Sequence, residues 1–306
     1  MHGPRPDPEE TLRCLFVSDL HGHESRYEAL FAAVERERPA AVFLGGDLLP
    51  HWMARRASTA GSGPGAAPSE SSAGFLRGFL FDRLQALRRA MGAAYPAVFA
   101  ILGNDDGRVE EEALHDAERR GLLHYAHGRC TDWRGFDVYG YSYVPPTPFR
   151  LKDWERYDVS RFVDPGCISP EEGWRTVPLP EREARLATIR DDLDRLAERR
   201  DLARAIVLFH SPPYGGALDR AALDGRTVDH APLDVHVGSI AIAQFIAARQ
   251  PLVTLHGHIH ESARLTGTWR EISGRTVSLS AAHDGPELAL VRFDPHRPAD
   301  ATRELL

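Results

Sequence analysis

An α/β fold is predicted for this chain by three features. Short apolar runs alternate with amphipathic stretches along its 306 residues, the pattern of strands interleaved with helices. Acidic, amide and imidazole side chains follow directly where several of those runs stop. The composition, 42% hydrophobic and 26% charged, is that of an ordinary globular protein. At ~150 residues per domain the length allows two domains, but one large α/β domain with insertions fits as well and is the expectation, spanning residues 1–306.

The elements follow in order. Leu12 to Ser18 reads as a buried strand. Tyr27, Leu30, Phe31 and Val34 then recur at helical spacing, and Pro39 follows the end of that helix. Ala41 to Leu44, Ala97 to Leu102 and the alternating Phe136 to Tyr141 are the next strands. Leu186, Ile189, Leu193 and Leu196 mark one face of a single long helix from about Glu181 to Arg200, its charges a solvated face. Ala205 to Phe209 is a strand. Ser239 is placed to cap a helix carrying Ile242, Phe245 and Ile246, which stops before Pro251. Leu252 to Leu255, Thr276 to Leu279 and Leu288 to Phe293 complete the strands, and the polar tail after Asp294 is expected to fray.

Two segments break the rhythm. Residues 54–74 hold 17 Gly, Ala, Ser or Pro among 21 residues, too little apolar surface to order a segment, so a flexible loop is expected. Residues 142–180 are rich in Pro but carry Phe149, Trp154, Tyr157, Phe162 and Trp174. That composition predicts an ordered, irregular cap whose aromatics form a small core of their own.

Whole classes of function are disfavoured. The net charge, 37 − 44 = −7, lacks the basic excess of a broad nucleic-acid footprint but does not exclude a small phosphorylated substrate. No apolar run approaches the ~18 residues of a membrane helix, and the first ten residues lack the apolar stretch of a signal peptide. Three well-separated cysteines, Cys14, Cys130 and Cys167, suggest neither a disulfide framework nor a thiolate metal site. A reducing cytoplasm is therefore expected. Oligomeric state is not legible.

The chemistry sits at the strand ends. Asp19-Leu20-His21 follows the first strand, Gly46-Asp47 the second and Gly103-Asn104-Asp105-Asp106 the third. His210 ends the Ala205 strand, and His256-Gly257-His258-Ile259-His260 ends the Leu252 strand. Ligand sites of open α/β sheets lie beyond the carboxyl ends of strands, so one rim receives them all. Carboxylate, amide and imidazole donors suit first-row divalent ions such as Mn, Fe, Co, Ni or Zn. Asp19, His21, Asp47, Asn104, His210, His258 and His260 are too many for one ion and suit two, with one carboxylate bridging across ~3.5–4 Å. Asp19 and His21, two apart on a segment read as extended, would point to one side and chelate one ion. His256 reads as a packed strand-end residue.

This ordered set resembles the calcineurin-like metallophosphoesterase superfamily, whose signature runs D-x-H, G-D, G-N-[HD], H, G-H-x-H. Every element is present in order from Asp19 to His260. The resemblance implies a four-layer αββα sandwich of two mixed β-sheets flanked by helices. It implies one metal on Asp19, His21, Asp47 and His260 and a second on Asp47, Asn104, His210 and His258, manganese being favoured. It further implies hydrolysis of a phosphoester by a metal-bridging hydroxide, with Asn104 and His210 also orienting the phosphate. One departure stands out. Many members carry a His after the motif Asn, proposed to protonate the leaving group and paired with an Asp three residues past the bridging Asp. Here those positions are Asp105 and Pro50. Either Asp105 acts at the site or in support of a ligand, or His23, His51 or His236 replaces the acid, or the leaving group departs unaided. The last option favours a phosphodiesterase over a nucleotide phosphatase. A non-catalytic scaffold of the same fold is the rival from another class. An amidohydrolase barrel, which would need a carboxylated lysine, finds only Lys152 in a Pro-rich segment and leaves Gly46-Asp47 and Gly103-Asn104 unexplained.

Overall fold

Strand formation follows the apolar runs closely. A computed structural model describes residues 11–50, 74–198 and 200–306. The expected loop at 54–74, all but its last residue, and His51 lie outside them. In the first half the order is β1 (Cys14–Val17), α1 (Glu24–Glu37), β2 (Ala41–Gly45), a π-helical turn running into α2 (Phe81–Met91), β3 (Ala97–Ile101), α3 (Glu111–Arg119) and β4 (His124–Tyr125). Then come β5 (Cys130–Trp133), β6 (Phe136–Tyr141), α4 (Glu181–Leu186), α5 (Ile189–Ala197), β7 (Ala205–Phe209) and the short pair β8 (Thr227–Val228) and β9 (Ala231–Pro232). The chain closes with α6 (Ile240–Arg249), β10 (Val253–His256), α7 (Ser262–Thr266), β11 (Arg270–Ser273), β12 (Thr276–Ser280), β13 (Ala289–Phe293) and β14 (Thr302–Leu305).

Two six-stranded sheets result, ordered β14-β13-β1-β2-β3-β4 and β11-β12-β10-β7-β6-β5. Both are mixed. The central strands β1 to β4 are mutually parallel, as are β6, β7, β10 and β12, while β13, β5 and β11 run against them and β14 pairs antiparallel with β13 at the outer edge. Alternation along each strand builds the layers. Cys14, Phe16, Phe43 and Phe99 of the first sheet share one apolar cluster with Val138, Ile206, Leu208 and Leu255 of the second. Leu15, Val17, Val42 and Val98 turn the other way and pack with Leu30, Phe31 and Leu84 of α1 and α2. Tyr141, Val207 and Phe209 pack with Leu193 of α5 and Ile242 and Phe245 of α6. The result is the expected four-layer sandwich, and it brings the carboxyl ends of β1, β2, β3, β7 and β10 to one rim.

Four expectations need correction. The helix over 181–200 is two helices. Ala187 is extended, and the Thr188 hydroxyl accepts the Asp191 N–H, starting α5 anew. Leu186 is consequently exposed. The charges of that region are not all solvated, because Arg156 binds Asp192 at 2.8 Å and Glu183 at 2.5 Å. The tail after Asp294 does not simply fray. Thr302–Leu305 pairs antiparallel with β13, and Leu288 and Leu306 exchange backbone hydrogen bonds at 2.9 Å. Finally, the aromatics of 142–180 do not form a separate core. Trp154 is fully buried in the main core against Tyr143 and His127, whereas Phe149 and Phe162 are exposed. Among the described residues, no helix is long and apolar enough to cross a membrane.

Candidate metal centre

The loops after β1 and β2 are laced together by backbone. Asp19 N–H donates to Gly46 O at 3.0 Å, His21 N–H to Asp47 O at 2.8 Å and Gly22 N–H to Leu48 O at 2.9 Å. This lacing holds Asp19 (φ 58°), His21 (φ 47°) and Asp47 (φ 50°) in the left-handed region, and His258 (φ 74°) joins them. Asp and His tolerate that region better than most residues, but the cost is met only where surroundings enforce it. The expected extended spacing of Asp19 and His21 is thus replaced by a turn that still aims both side chains at one point.

Seven predicted side chains gather at the rim. His21 Nε2 lies 3.2 Å from His260 Nε2 and 3.9 Å from Asp47 Oδ2, and His260 Nε2 lies 3.3 Å from Asp19 Oδ1. On the other side, His210 Nε2 lies 3.4 Å from Asp47 Oδ2 and 3.0 Å from Asn104 Oδ1, and the His210 and His258 rings are 5.2 Å apart. Among the described residues two groups could hold an ion: Asp19, His21, Asp47 and His260, and Asp47, His210 and His258. Asp47 belongs to both, and the contact with His210 places Asn104 beside the second.

Donor chemistry fits divalent ions. Adjacent donors ~2.1 Å from one ion sit roughly 3 Å apart, close to the spacing of these groups. Electrostatics agree. Burial pushes the Asp19 carboxyl up, but the hydrogen bond and charge of His260, then the charge of His210, hold it at about 2. Burial acts on Asp47 likewise, and the charges and hydrogen bond of His210 and His21 hold it well below the usual carboxylate range. Burial would lower His210, yet Asp47 and then Asp19 lift it to about 9, whereas burial leaves His258 at about 3. The two carboxylates draw positive charge in among buried imidazoles, a demand that a divalent cation meets.

Ring orientation is set from behind. His210 Nδ1 donates to Gly45 O at 2.8 Å, so its Nε2 faces the cluster. Asp105 donates its N–H to Asp47 Oδ1 at 2.8 Å, and its Oδ2 lies 3.4 Å from His21 Nδ1, the ring nitrogen turned away from His260. Asp19 accepts the His258 N–H at 3.0 Å, joining the two sheets.

Other residues fall outside this geometry. His23 is exposed at the amino-terminal cap of α1. His236 binds Asp219 Oδ1 at 2.8 Å through Nδ1. His256 is buried against Ser211 O and Thr254 Oγ1, as expected of a strand-end residue. Sequence reasoning left Asp106 and Arg26 without roles. Asp106 is fully buried and accepts the N–H groups of Leu48, Leu49 and Gly103 at 3.0, 2.8 and 2.9 Å, fixing the β2 loop to the β3 loop. Arg26 donates to Asp19 O at 2.7 Å and to Gly285 O at 2.5 Å. The acidic pair after Asn104 was the available signal for Asp106; nothing local marks Arg26.

Close approach explains Gly103. A Cβ there would overlap the Asp47 side chain and come within 2.6 Å of His210 Cε1. Gly103→Ala is expected to part Asp47 from His210 and weaken binding of an ion between them at least about tenfold. Isothermal titration with Mn checks this, and unchanged affinity would contradict the packing argument.

A family model described as calcineurin-like phosphoesterase matches residues 12–262. No curated protein gives a significant sequence match. One solved crystal structure superposes with a TM-score of 0.60 at 17% identity, covering 97% of this chain and 99% of its own. The crystal structure of a Thermus thermophilus protein, TT1561, gives 0.54 at 17% identity, with the same coverage of 97% and 99%. A dimetal phosphatase from Danio rerio gives 0.50 at 11% identity, covering 94% of this chain and 93% of its own. At these identities the structural likeness concerns the fold.

Proposed function

The chain belongs to the calcineurin-like phosphoesterase family, a family of metal-dependent hydrolases, and from that premise we propose that it cleaves a small phosphodiester. The observation that carries the reading is the sharing of Asp47 by both groups of donors. Asp19, His21, Asp47 and His260 would hold one ion, and Asp47, Asn104, His210 and His258 the other, manganese first and Fe, Zn, Ni or Co as alternatives. Bound there, two divalent ions supply a water acidified to near neutral pH and neutralise phosphoryl charge. The protein's part is to fix the donors. The Asp47 carboxylate reaches both sides, Gly45 O fixes the His210 tautomer, and Asp105 is placed to do the same for His21. Asn104, a neutral donor, adds no charge against an anionic substrate and is placed to orient the phosphate together with His210.

The preference for a diester rests on Asp105. At this position, where many relatives carry a His proposed to donate a proton, this chain has Asp105, whose backbone N–H donates to Asp47 and whose carboxylate faces His21. His23 is the remaining described histidine on a ligand loop that could reach substrate. Leaving groups that depart unaided, aryl or nucleotidyl, are therefore favoured, and catalysis would proceed without a covalent phosphoenzyme.

Hydrolysis of bis(p-nitrophenyl) phosphate beside p-nitrophenyl phosphate tests this. Chelation should abolish turnover and added Mn should restore it for the diester. Cleavage of the monoester alone would overturn the diester preference in favour of a nucleotide phosphatase. No turnover with two ions bound would move the reading to a scaffold.

A further inference from the structure

The ligands of the second proposed ion come from different sheets. Asn104 follows β3 of the first sheet and His210 follows β7 of the second. An isolated parallel bridge between His127 and Gly140, with Gly128 N–H donating to Gly140 O at 2.9 Å, and the bond from His210 Nδ1 to Gly45 O tie the sheets, and the 3.0 Å approach of Asn104 Oδ1 to His210 Nε2 depends further on how the two loops are held.

One short span reaches both loops. Asp153 is buried and accepts the Arg108 N–H at 2.7 Å, four residues past Asn104. It also accepts the Thr176 N–H at 2.9 Å, and Thr176 Oγ1 in turn accepts the Val109 N–H at 3.0 Å. Five residues on, Asp158 accepts Ser239 Oγ at 2.6 Å, Ile240 N–H at 2.6 Å and Ala241 N–H at 3.2 Å. Ser239 donates its N–H to Pro212 O at 2.9 Å, two residues past His210, and accepts the Tyr214 N–H at 3.0 Å. The residues between do not give. Trp154 is fully buried. Trp154 O accepts the Val144 N–H at 2.9 Å, and Arg156 N–H returns to Val144 O at 3.1 Å. Arg156 grips Asp192 at 2.9 and 2.8 Å.

We propose that residues 153–158 form a rigid clamp, with Asp153 on the Asn104 loop and Asp158 on the start of α6, which Ser239 joins to the His210 loop, that sets the spacing of the second-ion ligands across the sandwich. Asp153 and Asp158 are positioning residues: neither belongs to the ligand set, and both act through the segments they hold. The segment expected to be a cap would thus brace the site from beneath. The inference rests on the dinuclear reading above and goes beyond it by assigning the selectivity of the brace.

Mn titration followed by metal analysis and electron paramagnetic resonance tests the clamp on the full chain. Wild type should bind two Mn ions and show an exchange-coupled pair. Asp153→Ala and Asp158→Ala should each keep one tight ion and bind the second about tenfold or more weakly, giving the six-line spectrum of an isolated Mn at equal loading. Asp153→Asn and Asp158→Asn keep one acceptor oxygen and the fold, and should show the same selectivity at smaller amplitude. Thr276→Val is the control. It removes a buried hydrogen bond to Pro251 O at the opposite ends of the strands and should leave both ions in place. Clamp variants that bind both ions as wild type does, or that lose both equally, would overturn the clamp alone. A wild type that binds fewer than two ions would sink the dinuclear reading and the clamp with it.

Discussion

Asp47→Asn is expected to lose both ions and essentially all turnover. Asp47 is the one side chain common to both donor groups, so removing its charge withdraws a ligand from each at once. The amide keeps the size of the carboxylate and one acceptor for the Asp105 N–H, which now meets Asp47 Oδ1 at 2.8 Å. The fold should survive. What goes is the negative charge shared by both groups, which draws cations among the clustered imidazoles. If the ions are worth several kcal/mol of transition-state stabilisation, kcat/KM should fall on the order of a thousandfold or more. Titration calorimetry would show both binding events weakened together. Two tightly bound ions in this variant, or wild-type hydrolysis of the diester, would contradict the sharing of Asp47.

Much of this site is legible in sequence because its strands are. Val17, Gly45, Ile101, Phe209 and His256 each end an apolar run, and ligands follow within a few residues. The α/β periodicity therefore fixes which polar residues share a rim, and residue type supplies the chemistry. The backbone shape of the ligands is not legible. Only glycine advertises a left-handed backbone in sequence, and Asp19, His21, Asp47 and His258 adopt one under tertiary force. Anchors are equally hidden. Asp106 and Asp105 are adjacent and chemically identical, yet one is buried under three amides and the other faces His21. That difference is made by packing alone.

The missed fold features have physical reasons too. The break before α5 carried a signal, Thr188 with an acidic residue three positions on, but the leucine spacing across it outweighed the cap. The edge strand β14 contains Arg303 and Glu304, charges that protect a sheet edge and hide a strand from a search for apolar runs. Asp153 and Asp158 satisfy backbone groups about 45 and 82 residues away in sequence, and no local pattern encodes such partners.

Lys152→Met should be the most damaging single change away from the rim. The only lysine of the chain is fully buried with Glu155, which it contacts directly while donating to Thr147 O at 3.0 Å. Glu155 also accepts the Thr147 N–H at 2.8 Å. Taking one partner from a buried ion pair leaves the other charge uncompensated, at roughly 3–5 kcal/mol. The loss should depend on pH with a definite sign. Burial pushes the Glu155 carboxyl up to about 7, with Lys152 opposing that rise, so without the lysine it rises further. A carboxyl whose folded value lies above its unfolded one loses stability as pH rises through that window, because the unfolded chain gives up its proton first. At pH 5 Glu155 stays protonated in the variant and the deficit should be small. At pH 8 the buried charge must form or hold a costly proton, and the deficit should reach its full size. Urea melts at the two pH values read this directly. Lys152→Met with Glu155→Gln should recover most of the loss at pH 8, since the amide still accepts from Thr147 and no charge is buried. A deficit in the single variant that is equal at both pH values would show that packing, not charge, carries the contribution of Lys152.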